Sequence, residues 1–171
     1  YYASGQAPFN ESFAMFVGAR GAAAFFRSRG QPAAAAKVDA AWGDDKLLAS
    51  FWASLIKSLD SAYAAHPSDK AARIEARDSV YGRARTALVT VIAPQLRTIN
   101  PLYARRVQLN NAALLARRVY ASDLDVFDRV YDKEGRDLRR TIGRIIGLAK
   151  SNPKDPFRAL RSYAGPAATT S

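Results

Sequence analysis

The sequence predicts an all-α fold, a multi-helix domain, on three observations. Apolar residues recur at three- and four-residue spacing over long stretches, most clearly Leu48, Trp52, Leu55, Leu59 and Tyr63, with Leu47, Phe51 and Ile56 widening the stripe. No segment alternates polar and apolar residues with the period of two that marks a half-buried strand. Helix-starting and helix-stopping residues flank each candidate segment. Internal repeats and sustained heptads are both missing.

Taken in order, residues 1–9 read as irregular, with turn residues in Ser4-Gly5-Gln6-Ala7 and a helix-permissive proline at position 8. Asn10 is the expected N-cap of a first helix running to about Arg29, which would put Glu11 in the first turn. Gly18 and Gly21 weaken that helix by about 1 kcal/mol each relative to alanine, so they are expected to serve close packing. Gly30-Gln31-Pro32 ends it, and the alanine-rich run to Trp42 is strongly helix-favouring. Gly43-Asp44-Asp45 is expected to interrupt or re-cap the chain before the stripe over 46–65.

His66-Pro67 is the next break, where His66 reads as a surface or capping residue, and Ser68 or Asp69 caps a helix carrying Ile74, Tyr81, Leu88 and Val91 on one side. Pro94 should end or kink it, and Asn100-Pro101 makes a loop. Asn110-Asn111 opens a helix to about Tyr120; Ser122 or Asp123 caps another, with Leu124, Phe127, Val130 and Tyr131, ending at Gly135. A helix from about Asp137 to Lys150 stops at Ser151-Asn152-Pro153, and a short one follows over 155–163. The organisation expected is one helical domain over 1–163 and a flexible tail over 164–171.

A chain of 171 residues with 49% apolar and 24% charged side chains can bury a sizeable core and does not have the composition of a disordered chain. The absence of cysteine excludes disulfides, thiolate nucleophiles and cysteine metal sites. No run approaches the roughly 18 apolar residues of a spanning helix, and no signal-peptide pattern is visible. The formal charge of +11 is unevenly placed: residues 1–66 hold six basic and five acidic side chains, residues 67–171 twenty and ten. Between Asp78 and Asp123 lie Arg83, Arg85, Arg97, Arg105, Arg106, Arg117 and Arg118 with no acidic residue. Such a stretch is either a solvated helical surface or a positive field for acidic peptides, anionic lipid or nucleic acid.

Glu11 stands out because it sits among Phe9, Phe13, Phe16 and Val17 while sharing a helix face with Ala14, Met15, Gly18 and Ala22. Two readings fit: a carboxylate favoured by the helix dipole, or a metal ligand whose companions lie elsewhere. The segment Phe9-Asn10-Glu11-Ser12-Phe13-Ala14-Met15-Phe16-Val17-Gly18 resembles the one that follows His-Glu-x-x-His in a bacterial zinc aminopeptidase family. A second block, Asn110-Asn111-Ala112-Ala113-Leu114 with Tyr120 and Phe127 beyond it, resembles that family's Asn-Asn-Ala-x-Leu region; Ser68-Asp69-Lys70-Ala71-Ala72-Arg73 matches a polar helix start between them.

The resemblance implies a zincin-like C-terminal helical part in which Glu11 is the third zinc ligand. It implies that Asn110 and Asn111 fasten a turn near the cleft or contact substrate, with capping the plain alternative. Tyr120 would be a core residue or a donor to a developing oxyanion. The sequence departs from the pattern in holding one histidine, His66, and no His-Glu-x-x-His. Residue 1 is tyrosine, so the missing motif is expected ahead of it in a longer protein. Zinc is accordingly expected only together with those upstream histidines.

Two functions follow from this reading. One is the helical portion of an aminopeptidase-like hydrolase acting on a peptide substrate, inactive as the chain stands, with a cell-envelope or periplasmic location implied by the resemblance. The other is a structural or accessory subunit that keeps the scaffold, lacks the zinc site and serves a protein partner. The basic stretch also suits an anionic membrane surface. Nucleic acid is the least supported partner, since the arginines match no binding motif.

Overall fold

Proline near a helix start decides where the chain first becomes regular. In the computed structural model, which describes residues 1–119 and 123–166, helix α1 runs over Ala7–Ser28 with Gln6 in the N-cap position. It begins ahead of the expected Asn10 because Pro8 has a φ already suited to a helix and no N–H to leave unpaired. Asn10 lies inside the first turn, and its side chain accepts from the Ala3 N–H and donates to the Ala3 carbonyl, both at 2.8 Å. It ties down the N-terminal arm instead of capping the helix. Glu11 therefore falls just past the first turn, which holds no acidic residue.

The described residues form eight α-helices and no strand: α1, α2 over Pro32–Ala65, α3 over Lys70–Ala87, α4 over Leu102–Arg106, α5 over Asn111–Val119, α6 over Leu124–Lys133, α7 over Leu138–Ser151 and α8 over Pro156–Ala164. The all-α class is the one the sequence predicts. Helix α2 runs unbroken for 34 residues, so Gly43-Asp44-Asp45 does not interrupt it. One glycine costs a helix only about 1 kcal/mol, and the Asp44 side chain that could have capped a new start is engaged elsewhere, as described below. Helix α3 is capped by Asp69, whose carboxylate accepts from the Ala72 N–H at 3.0 Å. It passes into a π-helical turn over Leu88–Ile92, where the Ala93 N–H reaches back to the Leu88 carbonyl, and then a 3₁₀ turn over Ala93–Gln95. Pro94 explains the widening: its ring would clash with the carbonyl four residues back, at Thr90, in a regular α-helix.

The chain divides into two compact units, residues 1–39 with 119–171 and residues 40–118. In the first, Phe127 of α6 is fully buried, with ring centroids 5.9 Å from Phe9, 6.1 Å from Phe13, 5.6 Å from Phe16 and 5.9 Å from Phe157. The phenylalanines that α1 presents thus serve packing against α6 and α8. Above this cluster Arg20 of α1 pairs with Asp128 and, at 3.0 Å, with Asp39, and its guanidinium lies 5.4 Å from the Tyr131 ring centre. Desolvating this arginine is tolerable because both carboxylates and the ring face it.

Glu134, at the end of α6, is a second buried carboxylate of the same unit, besides Asp128. The Tyr163 hydroxyl donates to it, as do Arg144 Nε at 3.0 Å and Arg140 Nε at 3.3 Å. The Tyr163 bond and then the arginines hold its carboxyl below the usual glutamate value. Asp137 and Asp155, near which the sequence starts these helices, cap α7 and α8, each accepting a 3.0 Å bond from the N–H three residues on. Asp123 precedes α6 in the left-handed region, φ 46°, and makes no capping bond; its carboxylate takes Arg161 Nη1 at 2.7 Å. The alternative cap, Ser122, lies outside the described residues.

In the second unit the stripe of α2 is core: Phe51, Trp52, Leu55 and Leu59 pack with Val80, Leu88, Ala93, Ala104 and Leu114. The carboxylate of Asp44, only 2% exposed, collects the N–H groups of Arg97 (2.9 Å), Thr98 (2.7 Å) and Ile99 (3.2 Å) and the Thr98 hydroxyl (2.7 Å). These donors belong to the turn after the 3₁₀ segment, where no helix or strand would satisfy them. Burial pushes the Asp44 carboxyl up, but the four donors outweigh it and leave it below the ordinary 3.8.

Phe127→Ala should cost about 3–5 kcal/mol of stability, read as a lower denaturant midpoint. Asp44→Ala should cost about 2–4 kcal/mol, because buried donors lose a charged acceptor, with the Thr98 amide losing hydrogen-exchange protection first. A carboxyl with a depressed value stabilises most above its unfolded value. The stability gap between wild type and Asp44→Asn should therefore hold from neutral pH down to about 3.8 and close as pH falls further.

Candidate functional site

Polar side chains converge on the second unit where the end of α2, one face of α3 and the start of α5 meet around two open hollows. Lys70, Arg73, Ile74, Arg77 and Tyr81 recur every three or four residues, so they share that face of α3. One hollow, of about 420 Å³, is lined by Tyr63, Lys70, Arg73, Ile74, Arg77 and Asn111. The other, of about 430 Å³, is lined by Arg77, Asp78, Tyr81, Leu109, Asn110, Asn111 and Ala112. Arg77 and Asn111 stand on the boundary and face both.

The two asparagines have different employment. Asn110 is a helix cap, its Oδ1 accepting from the Ala113 N–H at 2.8 Å. Asn111 is held from both sides: its Oδ1 accepts from the Tyr81 hydroxyl at 2.6 Å and the Tyr63 hydroxyl at 3.1 Å. Both lone pairs of the amide oxygen are thereby occupied, and the Nδ2 donors make no hydrogen bond among the described residues. Burial, and then the neighbouring Tyr63, push the Tyr81 phenol above its ordinary 10.0, so it stays protonated and keeps donating at neutral pH. Arg77 is fixed by Asp78, which accepts from Nε at 2.8 Å, and this bond raises the guanidinium further. Arg73 Nη1 donates to the Pro67 carbonyl at 3.2 Å, which anchors its head at the start of the face.

Within the arginine-rich stretch several members are committed to this unit. Arg117 lies 5.2 Å from the Trp52 ring centre and donates to the Tyr103 hydroxyl at 3.3 Å; Arg85 donates to the Ala104 carbonyl at 3.3 Å. Arg83 reaches the Ser79 hydroxyl at 2.7 Å. Glu11 belongs to the first unit, is exposed on α1 and makes no hydrogen bond or ion pair among the described residues. His66, half-buried, ends α2, with its N–H donating to the Tyr63 carbonyl at 3.3 Å. No group of three histidine, cysteine, aspartate or glutamate side chains among the described residues could hold a metal ion. Tyr120 lies outside the described residues.

A family model described as "Putative aminopeptidase" matches residues 1–160. The chain belongs to that family. The match spans both units and every helix up to the body of α8. No curated protein and no solved structure gives a match. The two hollows together present an amide with free donors, cations, and an apolar wall at Ile74.

Sequence reasoning singled out Asn110 and Asn111 but assigned Tyr63 and Tyr81 to apolar stripes. Their hydroxyls reach past the stripe to the polar edge, which spacing alone does not show. Tyr81→Phe should cost no more than about 1 kcal/mol of stability. It should also move the Asn111 side-chain amide resonances, with Tyr63→Phe giving a smaller shift that matches its longer bond.

Proposed function

We propose that this chain is the C-terminal helical part of a zinc-dependent, aminopeptidase-like peptide hydrolase, zincin-like in its scaffold. The observation that carries the reading is the family match over residues 1–160. Asn111 is the substrate contact: with its oxygen held by two phenols, its Nδ2 is oriented to donate to a peptide carbonyl. Asn110 supports it by fixing the first turn of α5. Tyr120, just beyond that helix in sequence, is proposed as the donor to a developing oxyanion.

Glu11 fits the part of a zinc donor in that its carboxylate is exposed and engaged with nothing else among the described residues. The set is incomplete without further donors, since the sequence holds one histidine and no described group of three ligands exists. In this reading the missing ligands are the histidines that the resemblance puts ahead of Tyr1. Zinc, when bound, supplies a Lewis acid that polarises a carbonyl and acidifies water; the residues of this chain bind and orient the peptide. A cell-envelope location goes with the same resemblance.

The test is the intact mass of the native protein with metal content and peptide hydrolysis measured on the same sample. The expected result is a mass above 18.6 kDa with about one zinc per chain. Glu11→Ala should then keep its helical circular dichroism, lose zinc, and lose hydrolysis by about a hundredfold or more. A mass of 18.6 kDa with no metal and no hydrolysis would overturn the enzyme and leave a helical accessory subunit.

A further inference from the structure

We propose that the hollow formed by Tyr63, Lys70, Arg73, Ile74, Arg77 and Asn111 is a carboxylate-binding subsite, so that the peptides this protein takes carry an acidic group. The proposal rests on the peptidase reading for its ligand class and on the geometry of the hollow for its charge preference. Three of the six lining residues are cationic and none is acidic. Of the nearby carboxylates, Asp69 is taken up in capping α3, Glu75 is not part of the lining, and Asp78 lines the neighbouring hollow, where it holds Arg77 in place.

The cations are arranged by the backbone. Lys70, Arg73 and Arg77 stand on successive turns of one α3 face, Arg73 has one guanidinium nitrogen fixed on the Pro67 carbonyl, and Arg77 is fixed through Nε and Nη2 on Asp78. Each guanidinium keeps other N–H donors. Lys70 has no carboxylate partner among the described residues. Asn111 adds a neutral donor, since its oxygen is taken by the two phenols and its Nδ2 is not. A carboxylate placed there would receive charged donors from α3 and an amide donor from α5, the combination that makes short, strong hydrogen bonds. The side chain of Ile74, 41% exposed, offers the aliphatic part of the ligand an apolar wall.

A peptide can bring a carboxylate from its C-terminus or from an aspartate or glutamate side chain. Binding is measured by calorimetry on the full chain with three short peptides: one with a free C-terminus and no acidic side chain, its C-terminal amide, and an amidated peptide carrying one glutamate. Preference for the first over the second assigns the subsite to the C-terminus; preference for the third over the second assigns it to an acidic side chain. Lys70→Gln and Arg77→Gln should each weaken the preferred peptide about five- to tenfold while leaving the plain amide within twofold. Side-chain amide resonances of Asn111 should shift with the preferred peptide and not with the amide.

Equal binding of all three peptides, or variants that weaken the amide as much as the carboxylate, would overturn the proposal. Binding is read without turnover, so the two readings fail separately. Carboxylate preference in this chain, with no metal and no hydrolysis in the native protein, keeps the subsite and removes the peptidase; hydrolysis by the native protein with no carboxylate preference does the reverse.

Discussion

The second unit depends on one buried carboxylate. Between the 3₁₀ turn and α4 the chain must turn with no helix or strand to take its amide protons, and Asp44 receives three of them and a hydroxyl besides. An aspartate so placed would be costly if its donors were water, because the charge is almost fully enclosed. With four donors it is the better acceptor, which is why its carboxyl lies below the ordinary value despite burial. The turn it secures leads to α4 and to Asn110-Asn111 at the head of α5. The same helix that carries Asp44 carries Tyr63 some 19 residues on, about 29 Å along its axis. Helix α2 therefore anchors the segment near one end and, through the Tyr63 hydroxyl, donates to Asn111 near the other.

The first unit is built on different physics. Four phenylalanines from α1 and α8 crowd around Phe127 of α6, and the polar groups described in its interior sit in satisfied sets: Arg20 with Asp39, Asp128 and the Tyr131 face, and Glu134 with Tyr163, Arg140 and Arg144. A lone member of either set would be a buried, uncompensated charge. The family match runs through both units, so the phenylalanine-rich α1 and the asparagine pair both lie within it.

Much of the fold was legible because it follows from local rules. Helical periodicity gave the class and the core stripe of α2, and Asp69, Asp137, Asp155 and Asn110 cap where capping chemistry puts them. The misses share a cause, which is that a residue able to act locally was taken by a distant partner. Asn10 serves Ala3 in place of its own helix end, Asp44 serves a turn more than fifty residues on, and Asp123 gives its carboxylate to Arg161. For the candidate site the asparagines were visible as a motif, whereas the tyrosines that orient one of them were hidden in an apolar pattern their rings satisfy equally well. Glu11 was visible through resemblance, and its exposure came only from the structure.

The widened turn ahead of Pro94 has a consequence for how this chain tolerates change in length. A bond from Ala93 back to Leu88 encloses one residue more than an α-helical turn would. Removing one residue between them would restore ordinary winding, and with it the clash of the Pro94 ring against the carbonyl four residues back. Leu88 and Ala93, both enclosed in the core, would then be four residues apart and still on one face, so the cost of the deletion falls on the proline. The segment thus behaves as a counted spacer: side-chain identity within it is negotiable at Thr90 and Val91, which face solvent, while the number of residues is not.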